Sequence, residues 1–137
     1  MSNDEHPARV AGRASQVAVR TKNKEAWLDL FAPDGWVEDP VGPSGYDPEG
    51  KGHHGRDGIG KFWDMSIAQT DSIDFRFHDS FACGNEAVFV GTIRTLIGGG
   101  RIDAEGVFKY RVDDDGKIVS LRAFWEIDRA MATATRA

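Results

Sequence analysis

Ile102-Asp103-Ala104-Glu105-Gly106-Val107-Phe108-Lys109-Tyr110-Arg111-Val112 changes character at every second residue. Ile102, Ala104, Gly106, Phe108, Tyr110 and Val112 fall on one side; Asp103, Glu105, Lys109 and Arg111 fall on the other with Val107. Side chains on a strand alternate between faces, so the stretch predicts a strand with one apolar face. Asp113-Asp114-Asp115-Gly116 then supplies a turn. The alternation resumes with Val119, Leu121, Ala123, Trp125 and Ile127 opposite Ser120, Arg122, Phe124 and Glu126. The two strands form an antiparallel hairpin. Its second face mixes charges with Val107, Ile118 and Phe124, which fits a sheet only partly wetted there, as at an interface between two copies.

Upstream, Gly98-Gly99-Gly100 closes a second hairpin onto a mostly apolar strand, Glu86 to Ile97. Cys83-Gly84-Asn85 is a turn, and before it Ile73, Phe75, Phe77, Asp79 and Phe81 alternate with Asp74, Arg76, His78 and Ser80. Earlier still the period becomes helical. Ile59, Phe62, Trp63, Ser66 and Ile67 stripe a helix over Arg56 to Gln69. Ala26, Trp27, Leu30 and Phe31 follow a cap at Asn23, and Val10, Ala14, Val17 and Ala18 stripe a helix from Pro7 to Lys22. Pro33-Asp34-Gly35 reads as a turn before a short strand, Trp36 to Asp39. The loop from Pro40 to Gly55, with Tyr46, His53 and His54, is long for a compact domain and reads as a solvated loop.

This order predicts an α+β fold: three N-terminal helices packed on a curved antiparallel sheet, which encloses a cone-shaped apolar cavity. One domain is expected over residues 7–131, between a disordered tail at 1–6 and a second tail at 132–137. The length of 137 residues suits one domain, and 40% hydrophobic with 28% charged residues suits a soluble globular chain. A net charge of −5 argues against nucleic acid or an acidic membrane surface as partner. The lone Cys83 excludes an intrachain disulfide and fits a reducing cytoplasm, and Met1 to His6 lacks the basic start and apolar core of a signal peptide.

Val37-Glu38-Asp39-Pro40-Val41-Gly42 carries the chemistry. Pro40 ends the strand and holds Asp39 extended, so a carboxylate stands where a strand passes into a loop. Such an acid is either a solvated turn residue or a general base. Glu38 points to the opposite face and cannot assist it. His6, His53, His54 and His78 lack metal-ligand spacing, Cys83 lacks a nucleophile signature, and Gly98 to Gly100 lacks the setting of a phosphate loop, so neither metal nor cofactor is expected. At the wall of an apolar cavity the charged form of Asp39 is disfavoured, which raises its pKa toward the range of a useful base.

The segment Val37 to Gly42, after Leu30-Phe31-Ala32 at matching distance, resembles the ketosteroid (Δ5-3-oxosteroid) isomerase segment that holds the catalytic aspartate. Tyr110-Arg111-Val112 and Gly116 to Trp125 resemble that family's last hairpin, and element order carries the resemblance over residues 10 to 130. The family lies in the NTF2-like, SnoaL-like superfamily, and the loop with Gly50-Lys51-Gly52-His53-His54-Gly55 resembles an actinobacterial branch. The resemblance implies a cofactor-free, cytoplasmic isomerase of lipid metabolism in which Asp39 moves a proton from C4 to C6 of a Δ5-3-ketosteroid. It also implies an apolar ligand body contacted by Trp125, Phe108, Leu121, Trp63 and Tyr110, and the half-apolar outer sheet face suggests a homodimer. A steroid or polycyclic ketone binding protein, or a SnoaL-like cyclase, would use the same cavity. The family's two oxyanion donors fall on Ser15 and Phe108, which leaves Tyr110 or Tyr46 to supply a hydroxyl. Tyr110 reads first as a core tyrosine with its hydroxyl at the sheet edge.

Overall fold

The computed structural model describes residues 5–136. Helix α1 (Pro7–Arg20) starts at His6, whose Nδ1 accepts the Ala8 N–H at 3.1 Å while Nε2 lies 2.9 Å from the Gly84 carbonyl oxygen. His6, assigned from sequence to a tail, is therefore tied down at both ring nitrogens; residues 1–4 of that tail lie outside the described residues.

The buried face of α1 is not the expected valine stripe. Ala8, Ala11, Gly12, Ser15, Ala18 and Val19 face the protein, whereas Val10 and Val17 are 51% and 47% exposed. Close approach to the sheet selects the small residues. A Cβ on Gly12 would lie 2.5 Å from the Phe89 ring and 3.0 Å from the Tyr110 ring.

Helix α2 (Lys24–Asp29) is capped by the Asn23 side chain, which accepts the Ala26 N–H at 3.1 Å. Its Trp27 is buried against Phe31 and Trp63, with ring centroids at 5.0 and 5.2 Å. Strand β1 (Phe31–Glu38) runs through Pro33-Asp34-Gly35, expected as a turn; the register shifts between Phe31 and Trp36, so the strand absorbs those residues as an irregularity. Strand β2 (His53–His54) pairs antiparallel with β1. Helix α3 (Gly55–Met65) ends earlier than expected, and a 3-10 turn covers Ile67–Gln69. At the break the Ser66 hydroxyl donates to the Phe62 carbonyl at 2.6 Å, competing with the helix ladder.

Strands β3 (Ser72–Cys83), β4 (Glu86–Ile97), β5 (Gly100–Val112) and β6 (Ile118–Trp125) form the expected antiparallel meander. Strand β6 ends at Trp125; Ile127, expected on its inner face, opens helix α4 (Ile127–Met131). Strand β7 (Thr135–Arg136) pairs with Gly100 and Arg101 of β5, so the segment expected as a tail is partly strand. The seven-stranded sheet has the order β2-β1-β6-β5-β4-β3 with β7 beside β5, and β1 lies parallel to β6. Helices α1, α2 and α3 pack against this curved, unclosed sheet, an α+β cone.

One irregularity re-aims the edge strand. The β3–β4 register shifts between Phe77 and Asp79. Gly91 sits opposite Phe77 with φ of 150°, where a Cβ would lie 2.4 Å from the Arg76 carbonyl oxygen. A bulge moves all following residues to the other face. Phe81, which simple alternation groups with Ile73 and Phe77, is accordingly 60% exposed.

Candidate active site

Parallel pairing of β1 with β6 sets Val37 beside Leu121 and Glu38 beside Arg122. The chain beyond β1 is held to β6 by the Val41 N–H, which donates to the Ala123 carbonyl at 2.9 Å. Glu38 and Asp39 part as strand geometry requires. Glu38 accepts from Trp36 Nε1 at 2.9 Å and from Arg122 Nε at 3.1 Å. Asp39 instead accepts from Trp125 Nε1 at 2.6 Å through Oδ1. The Asp39 residue keeps some solvent contact, yet desolvation of its carboxylate raises its pKa above the ordinary value; the Trp125 hydrogen bond pulls it back in part.

A second polar group lies deeper. Tyr110 on central strand β5 is 3% exposed, and its hydroxyl meets Ser15 and Gln16 of α1, not the sheet edge. Burial pushes the phenol up to about 12; the hydrogen bonds from Ser15 and Gln16 oppose this, and the charge of Asp39 adds to it. Ser15 Oγ in turn accepts the Trp27 indole N–H at 2.9 Å. A buried polar relay thus runs from α2 through α1 to β5.

The remaining sequence candidates are distributed around these two groups. Leu121 pairs across from Tyr110 and is buried. Phe108 pairs with Ala123 and packs on Phe77 at 5.3 Å. Trp63 lies in the helical layer on Trp27. Phe77 also contacts Phe89 at 5.6 Å, and Phe89 contacts Tyr110 at 5.6 Å, so aromatic rings fill the interior beside Phe108 and Tyr110. Two cavities lie elsewhere. One of about 280 Å³ is lined by charged residues including Arg94, Asp103 and Arg129; one of about 240 Å³ lies between Leu28, Phe31 and Ile59. In the long loop, Tyr46 meets the Phe62 ring edge-on at 6.4 Å, and Asp47 accepts the backbone N–H groups of Lys51 and Gly52 at 3.1 and 2.8 Å. Burial lowers the His53 pKa, and the His53 ring packs on Phe62 at 4.8 Å. Among the described residues no three of His, Cys, Asp and Glu gather as a metal site, and no helix is long and apolar enough to cross a membrane.

A model of the SnoaL-like domain matches residues 13–121. The chain belongs to the SnoaL-like family. No curated protein sequence matches it. Among solved structures, RV0760c from Mycobacterium tuberculosis is similar at 30% identity with a TM-score of 0.88, over 99% of this chain and 100% of that one. The same mycobacterial protein in complex with estradiol-17beta-hemisuccinate is 31% identical with a TM-score of 0.84, over 90% and 97% of the two chains. The Δ5-3-ketosteroid isomerase from Mycobacterium sp. is 30% identical with a TM-score of 0.85, over 96% and 99%. This SnoaL-like chain therefore has the NTF2-like cone fold, with isomerase and steroid-binding neighbours.

Sequence reasoning did not link Trp27 and Gln16 to Ser15 and Tyr110 in this SnoaL-like protein. Trp27 read as core, and Gln16 fell outside the stripe assigned to α1. The available signal was the Ser15-Gln16 pair on the face of α1 that also holds Gly12 and Ala11.

Proposed function

We propose that this protein is a cofactor-free isomerase of the steroid Δ-isomerase type with Asp39 as general base. The observation that carries the reading is a desolvated carboxylate, held through Trp125 Nε1, whose charge acts on a buried tyrosine hydroxyl. The Asp39 carboxylate takes a proton from carbon beside the ligand carbonyl; the electron pair moves onto the oxygen as a dienolate; Asp39 returns the proton two carbons further along. Tyr110 serves as hydrogen-bond donor to that oxygen, in place of the family's two donors, whose positions fall on the short Ser15 and on Phe108, which cannot donate. The similarity to a mycobacterial ketosteroid isomerase over nearly the whole chain supports this reading.

The test is conversion of a Δ5-3-ketosteroid to its conjugated Δ4 isomer, followed by ultraviolet absorbance. Turnover that Asp39→Asn cuts by about 10²–10⁴ is the expected result; turnover that survives it intact overturns the role of Asp39. A steroid-binding protein without turnover is the second reading, supported by the steroid complex of RV0760c. Tight binding without isomerisation would favour it. Binding of no steroid would favour a SnoaL-like cyclase acting on another substrate or an interaction module, the latter supported by the ring packing around Phe77 and Phe89.

The outer sheet face supports a homodimer. Val90, Val107 and Phe124 lie side by side across β4, β5 and β6, and Phe81 pairs with Val88 after the bulge. A charged residue at Val107 is expected to yield a monomer by sedimentation; a parent chain that is already monomeric overturns this.

A further inference from the structure

The outer face of the sheet carries a recess that the Asp39 site does not use. Arg76, Thr92 and Glu105 stand in one row across β3, β4 and β5, and Asp74, Arg94 and Asp103 stand in the next. Directly paired residues share a face. By alternation this face of β5 is the one opposite Phe108 and Tyr110. Gly106 and Trp125 are the last pair between β5 and β6. Beyond them α4 lies beside β5 and brings Arg129 to the same recess. The cavity measures about 280 Å³.

Each carboxylate in the lining is already matched by a guanidinium. Asp103 accepts from Arg94 Nε at 2.8 Å and from Nη2 at 3.0 Å, and Glu105 accepts from Arg129 Nη2. Arg76 spends only Nε, on Asp74, which lies outside the lining. The hydrogen-bonding capacity left over is rich in donors. Both terminal nitrogens of Arg76, Nη1 of Arg94, Nε and Nη1 of Arg129 and the Thr92 hydroxyl donate to no described residue. A guanidinium keeps its charge at every working pH. The lining sets three arginines against two carboxylates, a local positive excess in a chain of net charge −5. Asp103 reports the same sign: its hydrogen bond to Arg94 holds its carboxyl below the ordinary value against the effect of burial, and the charges of Arg94, Arg101 and Arg76 add to the lowering.

We propose that this recess binds a small oxyanion of the phosphate class, held by Arg76, Arg129 and the Thr92 hydroxyl, with the Arg94–Asp103 pair as a fixed wall. A phosphate group offers oxygens on every side and no need of an acceptor, which is what the unspent donors match. The forked guanidinium suits two of those oxygens at once. The site lies on the other face of the sheet from Asp39, so the inference does not rest on the isomerase reading.

The test is calorimetric titration of the full chain with inorganic phosphate and with glycerol phosphate, near neutral pH and at ionic strength held constant with sodium chloride. One saturable site per chain is expected. Arg76→Gln, which leaves the pairs of Arg94 and Arg129 intact, should weaken it by about tenfold, and Thr92→Val should weaken it less. Lys61→Gln makes the same charge change on the exposed side of α3 and should leave the affinity unchanged. Arg129→Gln gives the same reading as Arg76→Gln should the latter not fold. Tighter binding of glycerol phosphate identifies a phosphate ester as the ligand, and tighter binding of phosphate identifies the free ion; both support the site. Absence of saturable binding, a loss in Lys61→Gln equal to that in Arg76→Gln, or parent affinity in the arginine variants overturns the proposal.

Discussion

Trp125 Nε1 donates to Asp39 Oδ1 at 2.6 Å, joining the end of β6 to the residue that follows β1. Two opposing effects meet on that carboxylate. Desolvation disfavours its charged form and the indole N–H favours it, with desolvation the larger. The indole therefore opposes part of the rise that desolvation imposes on the Asp39 pKa. Trp125→Phe removes the favourable effect alone, so the Asp39 pKa rises further. A hydrogen bond to a charged group contributes about 1.5–3 kcal/mol, so the acid limb of the kcat/KM profile should move to higher pH. A limb that stays in place or moves down shows that the indole does not tune the base.

Asp39→Asn separates stability from activity. The folded-state pKa lies above the ordinary 3.8, so the native state binds more protons than the unfolded state between those two values. Stability is lost as pH rises through that window, and the loss persists above it. The asparagine carries no charge to desolvate and can still accept from Trp125. The variant should be more stable than the parent at about pH 7, with the difference vanishing at about pH 3, below both values. Urea unfolding at the two pH values measures this. Turnover, where present, should fall by about 10²–10⁴ on loss of a general base. An Asn variant less stable than the parent at neutral pH would contradict the desolvation argument.

The same contrast between local and non-local causes decides what could be read from the sequence. Strands β5 and β6 were legible because alternation is local and each inner face is uniformly apolar from Phe108 to Val112 and from Leu121 to Ala123. Asp39 was legible as a candidate because Pro40 marks the end of a strand in the sequence itself. The face of α1 was not, because hydrophobicity favours Val10 and Val17 whereas the distance to Phe89 and Tyr110 favours Gly12 and Ser15. The inversion of β3 after Phe77 depends on Gly91, which belongs to another strand. The relay from Trp27 through Ser15 to Tyr110 joins three elements, and no spacing along the chain announces it.

Ser15→Ala tests that relay without touching Asp39. Ser15 and Trp27 are each 1% exposed, so deleting Oγ strands a buried indole N–H. The expected loss is about 1–3 kcal/mol in urea unfolding. The Ser15 hydrogen bond also lowers the Tyr110 pKa, so its removal should raise the phenol beyond its present value of about 12. Ultraviolet titration of the phenolate reads that shift. The sign for folding is fixed too: a raised tyrosine pKa weakens the native state as pH climbs above the ordinary 10.0, and the further rise in Ser15→Ala adds to that loss only above the parent's value of about 12. Unchanged stability and an unchanged phenol titration would mean that Ser15 does not link Trp27 to Tyr110.

Gly91→Ala tests the bulge that shapes the edge of the cone. At φ of 150° a side chain is strained, and the Cβ would lie 2.4 Å from the Arg76 carbonyl oxygen and 2.8 Å from Phe77 Cα. Both neighbours are backbone atoms of the paired strand, which cannot swing aside like the end of a flexible side chain. The ladder must open locally, at a cost of about 2 kcal/mol or more. Because Phe77 packs on Phe89 and Phe108, the opening should also disturb the aromatic cluster. A lower urea midpoint together with a changed near-ultraviolet circular dichroism spectrum is the expected result. An alanine variant with the parent's midpoint and spectrum would show that the strand pair accommodates a Cβ there, and that the bulge does not depend on Gly91.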